Sequence, residues 1–157
     1  MPSRLFLFWS LILWPLAPLG AVWAARAARL AWHKGRALTP PEQEMAARMG
    51  VAAPERVRVM VAPEMPWPGP RWLHRLVSRL GFPATESVGL CLGHAIFLHP
   101  AWAEKTEVLA HELVHTAQYE RLGGVRPFLR RYLAECLAFG YVAAPLEREA
   151  RFLSATL

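Results

Sequence analysis

The chain has 157 residues, 54% of them hydrophobic, and a formal net charge of +6. That length holds one domain with a modest core and not comfortably two. Residues 1–36 carry five basic side chains and no acidic one, whereas residues 37–157 are nearly balanced, thirteen against twelve, so the basicity suits anionic lipid headgroups and excludes a groove that tracks nucleic-acid phosphates.

In chain order, residues 5–25, LFLFWSLILWPLAPLGAVWAA, run 21 positions without a charge, about the length a helix needs to cross a bilayer. Pro15 and Pro18 are tolerated in a membrane helix, and Trp9, Trp14 and Trp23 suit its interfaces. The expectation is a transmembrane anchor over 1–25, a basic juxtamembrane segment over 26–37 and a folded domain over 38–157. Val22-Trp23-Ala24 makes a poor cleavage site because Trp23 is bulky. Arg26, Arg29, Lys34 and Arg36 place the remainder on the cytoplasmic side of a single-pass inner or plasma membrane. Export after signal cleavage is the alternative.

Thr39, followed by Pro40, Pro41 and Glu42, starts a helix that runs to about Met49 and ends at Gly50. The alternation of Val57, Val59 and Val61 with Arg56, Arg58 and Met60 predicts a strand within 56–63 with one buried face. MPWPGP, residues 65–70, is a loop. Residues 71–80 form an amphipathic helix with Arg71, Arg75 and Arg79 on one stripe. That stripe is a solvated face or, beside Trp67 and Trp72, a membrane-surface contact. Residues 87–99 read as two short strands turning near Gly93. Three helices follow: 104–122, stopped by Gly123-Gly124; 127–139, before Gly140; and one from about Pro145. Cys91 and Cys136 lack metal-site spacing and read as two buried free thiols. The order gives an α+β domain.

The 104–122 helix carries His111, Glu112 and His115 in EVLAHELVHTAQYE. Positions i and i+4 lie on one face a turn apart, so both imidazoles can reach one ion. Neutral imidazoles suit zinc, and three protein ligands leave a fourth position open. Glu112, at the edge of that face, is placed to act as general base for water attacking a carbonyl. A histidine six residues after His115 would supply a third ligand, but that position is Arg121. The remaining candidates are Glu135, Glu147 and Glu149, of which the last two lie 200° apart on one helix and cannot both face one ion. Glu135 sits among apolar neighbours and needs a partner. Gln118, three residues after His115, is a surface residue or bonds a ligand or substrate.

These stretches resemble the gluzincin branch of zinc metallopeptidases, and more closely the small bacterial zincin-like domains with a His-Glu-Leu-x-His-x-x-Gln helix. GHAIFLHP, residues 93–100, is similar to the strand before the zinc helix, and FGYVAAPLEREA, residues 139–150, to the segment after it. The resemblance implies a minimal zincin-like fold, Zn2+ as cofactor and a peptide or protein substrate. It implies His111, His115 and Glu147 as ligands, since Glu147 begins a Glu-x-x-Ala segment ending at Ala150. Glu135, 20 residues after His115, has the spacing of thermolysin-like enzymes. Glu112 is then the catalytic base, and Tyr141, or Tyr132, stabilises the oxyanion. The substrate lies along the 94–98 strand, with His94 and His99 lining the cleft. Gluzincins commonly place an aspartate after the third ligand; this chain has none, so a ligand histidine must find a glutamate or a backbone carbonyl. A non-catalytic zinc-binding interaction or assembly module at the membrane is the alternative reading.

Overall fold

The structure is a computed structural model that describes residues 4–12, 17–69 and 87–157. Among them are six helices: α1 (Arg4–Ile12), α2 (Ala17–Lys34), α3 (Pro40–Arg48), α4 (Thr106–Arg121), α5 (Val125–Phe139) and α6 (Pro145–Ser154). Four short strands, β1 (Arg36–Ala37), β2 (Arg58–Val61), β3 (Gly89–Leu92) and β4 (Ala95–Leu98), form one sheet. The expected 71–80 helix and its arginine stripe lie outside the described residues.

The strand order is β1-β2-β4-β3. β2 runs parallel to β4, and the other two pairings are antiparallel. Both edges of β4 are therefore bonded, and its four residues are all buried. Successive side chains of a strand point to opposite faces, and β4 divides the core accordingly. Ile96 and Leu98 join Val57, Val59, Leu109, Leu113 and Val114 on the face covered by α3 and α4. Ala95 and Phe97 join Ala24, Ala27 and Ala31 of α2 on the other. Phe97 is fully buried, so truncating it to alanine costs about 3–5 kcal/mol. Val61, expected on the buried face, ends its strand half exposed.

Local signals account for the helix ends. The Thr39 amide donates to Glu42 at 2.7 Å, and Arg36 grips the same carboxylate through both terminal nitrogens. α4 stops where Gly123 and Gly124 take φ of 83° and 121°, values that side chains disfavour. α5 starts two residues earlier than expected, because Pro127 in a first turn has no amide that needs an intrahelical acceptor. Cys91 and Cys136 are buried free thiols.

Two observations bear on the N-terminal region. No described helix is long and apolar enough to cross a membrane. α1 has nine residues, a span of about 14 Å against the roughly 30 Å of a bilayer core. α2 is longer, but it carries Arg26, Arg29 and Lys34 and packs its Ala24, Ala27 and Ala31 stripe onto the sheet. A run of apolar residues looks the same whether lipid or protein covers it. The folded unit also reaches upstream of residue 38, because α2 packs on the sheet and β1 pairs with β2.

Candidate metal centre

α4 turns Leu109, Ala110, Leu113 and Val114 to the sheet and His111, His115 and Gln118 towards α5 and α6. The heptad-like alternation of apolar and polar positions along EVLAHELVHTAQ produces this division. α6 packs closely along α4 and delivers Glu147. Pro145 opens α6 and Ala144 offers no side-chain cap. The Leu146 amide is instead capped by Glu135 of α5, which accepts from it at 2.8 Å and from Arg131 at 2.8 Å. This partner explains a glutamate that is only 3% exposed, and it fixes the residue next to Glu147.

His111 Nε2, His115 Nε2 and the Glu147 carboxylate converge on one point. The two ring nitrogens are 3.2 Å apart, His115 Nε2 lies 3.2 Å from Glu147 Oε1, and His111 Nε2 lies 3.5 Å from Oε2. Ligand atoms about 2.0–2.1 Å from a tetrahedral zinc are separated by about 3.3 Å. Each ring nitrogen meets a different oxygen of Glu147, and one ligand atom from each residue lies within 4.8 Å of the others, so a small adjustment of the carboxylate brings all three to one ion. They are the described residues close enough together to hold a metal ion. The donor set, two imidazoles and one carboxylate, is one that zinc accepts.

Gln118 orders this cluster. Its amide nitrogen donates to the Leu146 carbonyl at 2.9 Å and to Glu149 at 3.0 Å, which turns its oxygen to His115 Nδ1 at 2.8 Å. The opposite amide orientation would set oxygen against two acceptors. His115 therefore holds its proton on Nδ1 and presents the Nε2 lone pair to the cluster. The partner expected from a glutamate or a carbonyl is thus a glutamine side chain. Glu149 pairs with Arg121 and Gln118, while Glu135 caps α6, so neither joins the cluster.

Tyr132 donates to Glu147 Oε1 at 2.7 Å, and Arg151 approaches Oε2 at 3.4 Å. Burial would raise the Glu147 carboxyl, but the two adjoining imidazoles and the Tyr132 hydroxyl hold it well below the usual carboxylate range. Burial would lower His115; Glu147 and the Glu112 charge outweigh this and raise it. Tyr132 is thereby committed to orienting Glu147. Tyr141 is half buried, and burial together with the Glu147 and Glu112 charges raises its hydroxyl.

Glu112 is 6% exposed, and burial raises its carboxyl against the opposing charges of His115 and His111. It packs on the edge strand β3. A Cβ built on Gly89 would lie 2.5 Å from Glu112 Oε1 and 2.9 Å from Cγ and Cδ, so this close approach requires glycine. No local spacing marks Gly89; the neighbouring strand pattern alone could have drawn notice to it.

The cleft is arranged differently from expectation. β4 is an interior strand, so a peptide cannot add along 94–98; β3 is the edge among the described residues. His94 bonds Glu120 at 2.8 Å, and His99 accepts from the Ala101 amide at 3.3 Å. Both histidines are held in structural contacts. No family model, curated protein or solved structure matches this chain.

Proposed function

We propose that the chain is a zinc-dependent metallopeptidase of the gluzincin type. One observation carries this reading: His111 and His115 of α4 and Glu147 of α6 bring one ligand atom each within 4.8 Å of one another, with a buried carboxylate, Glu112, one residue from the first of them. His111, His115 and Glu147 would hold the ion, and zinc bound there would supply Lewis-acid chemistry. Glu112 takes the proton of a water that adds to the scissile carbonyl, and passes it to the nitrogen that leaves as the C–N bond breaks. The Tyr141 hydroxyl donates to the developing oxyanion. An extended peptide pairs with the outer edge of β3, which brings its backbone past Glu112.

The enclosure of the cluster favours one other reading. His115 is 5% and Glu147 1% exposed, as in a zinc site that only stabilises an interaction module. Three protein ligands and a carboxylate beside them favour catalysis. The deciding experiment measures zinc content and hydrolysis of a quenched fluorogenic peptide library, with and without chelator. Wild type should bind one zinc per chain and cleave. Glu112→Gln should keep the zinc and lose about 100-fold or more of the rate. Zinc bound without cleavage by wild type would establish the module, and no zinc bound would overturn both readings.

A further inference from the structure

Helices α1 and α2 both pack on α5: Gly20 lies within 3.5 Å of Leu129 for an added Cβ, and Trp23, Val125 and Leu129 share one cluster. Among the described residues, their outer surfaces carry large exposed apolar side chains. Leu5, Leu7, Phe8, Leu11, Leu19 and Val22 are between 50% and 71% exposed. Soluble monomers rarely leave so many large apolar side chains uncovered on neighbouring elements.

The charged side chains of α1 and α2 have one sign. No acidic residue precedes Glu42. Arg26, Arg29 and Lys34 of α2, with Arg126 and Arg130 of α5, are exposed, and among the described residues they make no ion pair. An apolar surface rimmed by unpaired cations is complementary to an anionic bilayer, whose headgroups take the cations while its acyl boundary takes the leucines. A second copy fits poorly, because a twofold contact would set the arginines of one copy against those of the other.

We infer that α1 and the leading half of α2 lie in the plane of an anionic membrane surface and dock the domain there without crossing it. α1 is too short to span, and the alanine stripe of α2 is taken up by the sheet. The inference is independent of the metal centre.

The test uses the full chain and vesicles of phosphatidylcholine, alone or with about a third phosphatidylglycerol, in a sedimentation assay. Binding is expected to the anionic vesicles only and to weaken as salt is raised. Arg26→Gln with Arg29→Gln should weaken it roughly 25-fold, at roughly fivefold per removed charge. Leu11→Gln with Leu19→Gln should do the same while leaving the melting temperature unchanged, since both leucines are exposed. Protein in membranes of expressing cells should be released by alkaline carbonate. Carbonate resistance would overturn the in-plane arrangement in favour of a span. A stable dimer that ignores vesicles, or a monomer that binds neither kind, would overturn membrane docking altogether.

Discussion

Replacing Gln118 by leucine, a side chain of similar volume, isolates the ordering of the metal centre from its ligands. The change removes the acceptor of the His115 Nδ1 proton at 2.8 Å and the donor to the Leu146 carbonyl at 2.9 Å. Partners of this kind, behind a metal-bound histidine, are worth about 10- to 100-fold in metal affinity, or about 1.4–2.7 kcal/mol. Both stranded groups are buried, and each unpaired buried polar group costs about 1–3 kcal/mol of stability. The variant will therefore melt earlier than wild type, and affinity must be read well below its transition. Competition with a chromophoric chelator gives the zinc dissociation constant, and circular dichroism at the same temperature shows that the chain is folded. Glu149→Gln is the control. It removes the Arg121 ion pair but keeps the acceptor on His115, and its affinity should stay within about threefold of wild type. Folded Gln118→Leu with wild-type affinity, or Glu149→Gln weakened as much as Gln118→Leu, would refute the assignment of Gln118 as the residue that sets the His115 tautomer.

Three further outcomes follow from the same contacts. Gly89→Ala drives a Cβ into Glu112, so peptide cleavage should fall at least about tenfold while zinc affinity stays within about threefold; equal losses of both would show that Glu112 has no separate role. Glu135→Leu strands the Leu146 amide and should cost about 1–3 kcal/mol, roughly 2–12 °C in melting temperature; an unchanged melting temperature would remove it as the cap of α6. Glu120 is partly desolvated, which raises its carboxyl, but the amides of Ala52 and Ala53 and the ring of His94 lower it on balance. Its contribution is therefore full above the unfolded carboxylate value and lost as pH falls through the lowered folded value. Denaturant melts between about pH 5 and pH 3 should show Glu120→Gln losing less stability than wild type, and parallel curves would count against the contact.

What could be read from the sequence was local. The pairing of His111 with His115 needs only the pitch of one helix, and the end of that helix is written in Gly123-Gly124. The two strands about Gly93, and the choice that Glu147 and Glu149 cannot face the same way, are equally short-range facts. The contacts that complete the site span longer separations. Glu147 was set apart from Glu135 by a resemblance alone; the structure separates them because Glu135 is taken up by an amide of the next helix, 11 residues on. Gln118 could not be identified as the partner of His115 without knowing that the Leu146 carbonyl and Glu149 lie beside it and turn its amide. The order β1-β2-β4-β3 is likewise a matter of pairing across the chain, and it moves the exposed edge from the 94–98 strand to Gly89–Leu92.

The N-terminal region is the converse case, and it bears on function. A hydropathy count over residues 5–25 registers that these side chains avoid water, but not which neighbour removes them from it. The answer differs along the run: Ala21 and Ala24 are buried within the fold, whereas Leu7, Leu11, Leu19 and Val22 are at least half exposed. α5 links that surface to the metal centre, because Phe128 and Tyr132 lie against His115 while Val125 and Leu129 pack with α2. A bilayer seated on α1 and α2 would therefore bear on the helix whose Tyr132 holds Glu147 and whose Glu135 caps α6. On this arrangement, vesicles that bind the docking surface should protect α5 amides from hydrogen exchange together with those of α1 and α2. Protection confined to α1 would mean that the surface and the site are independent.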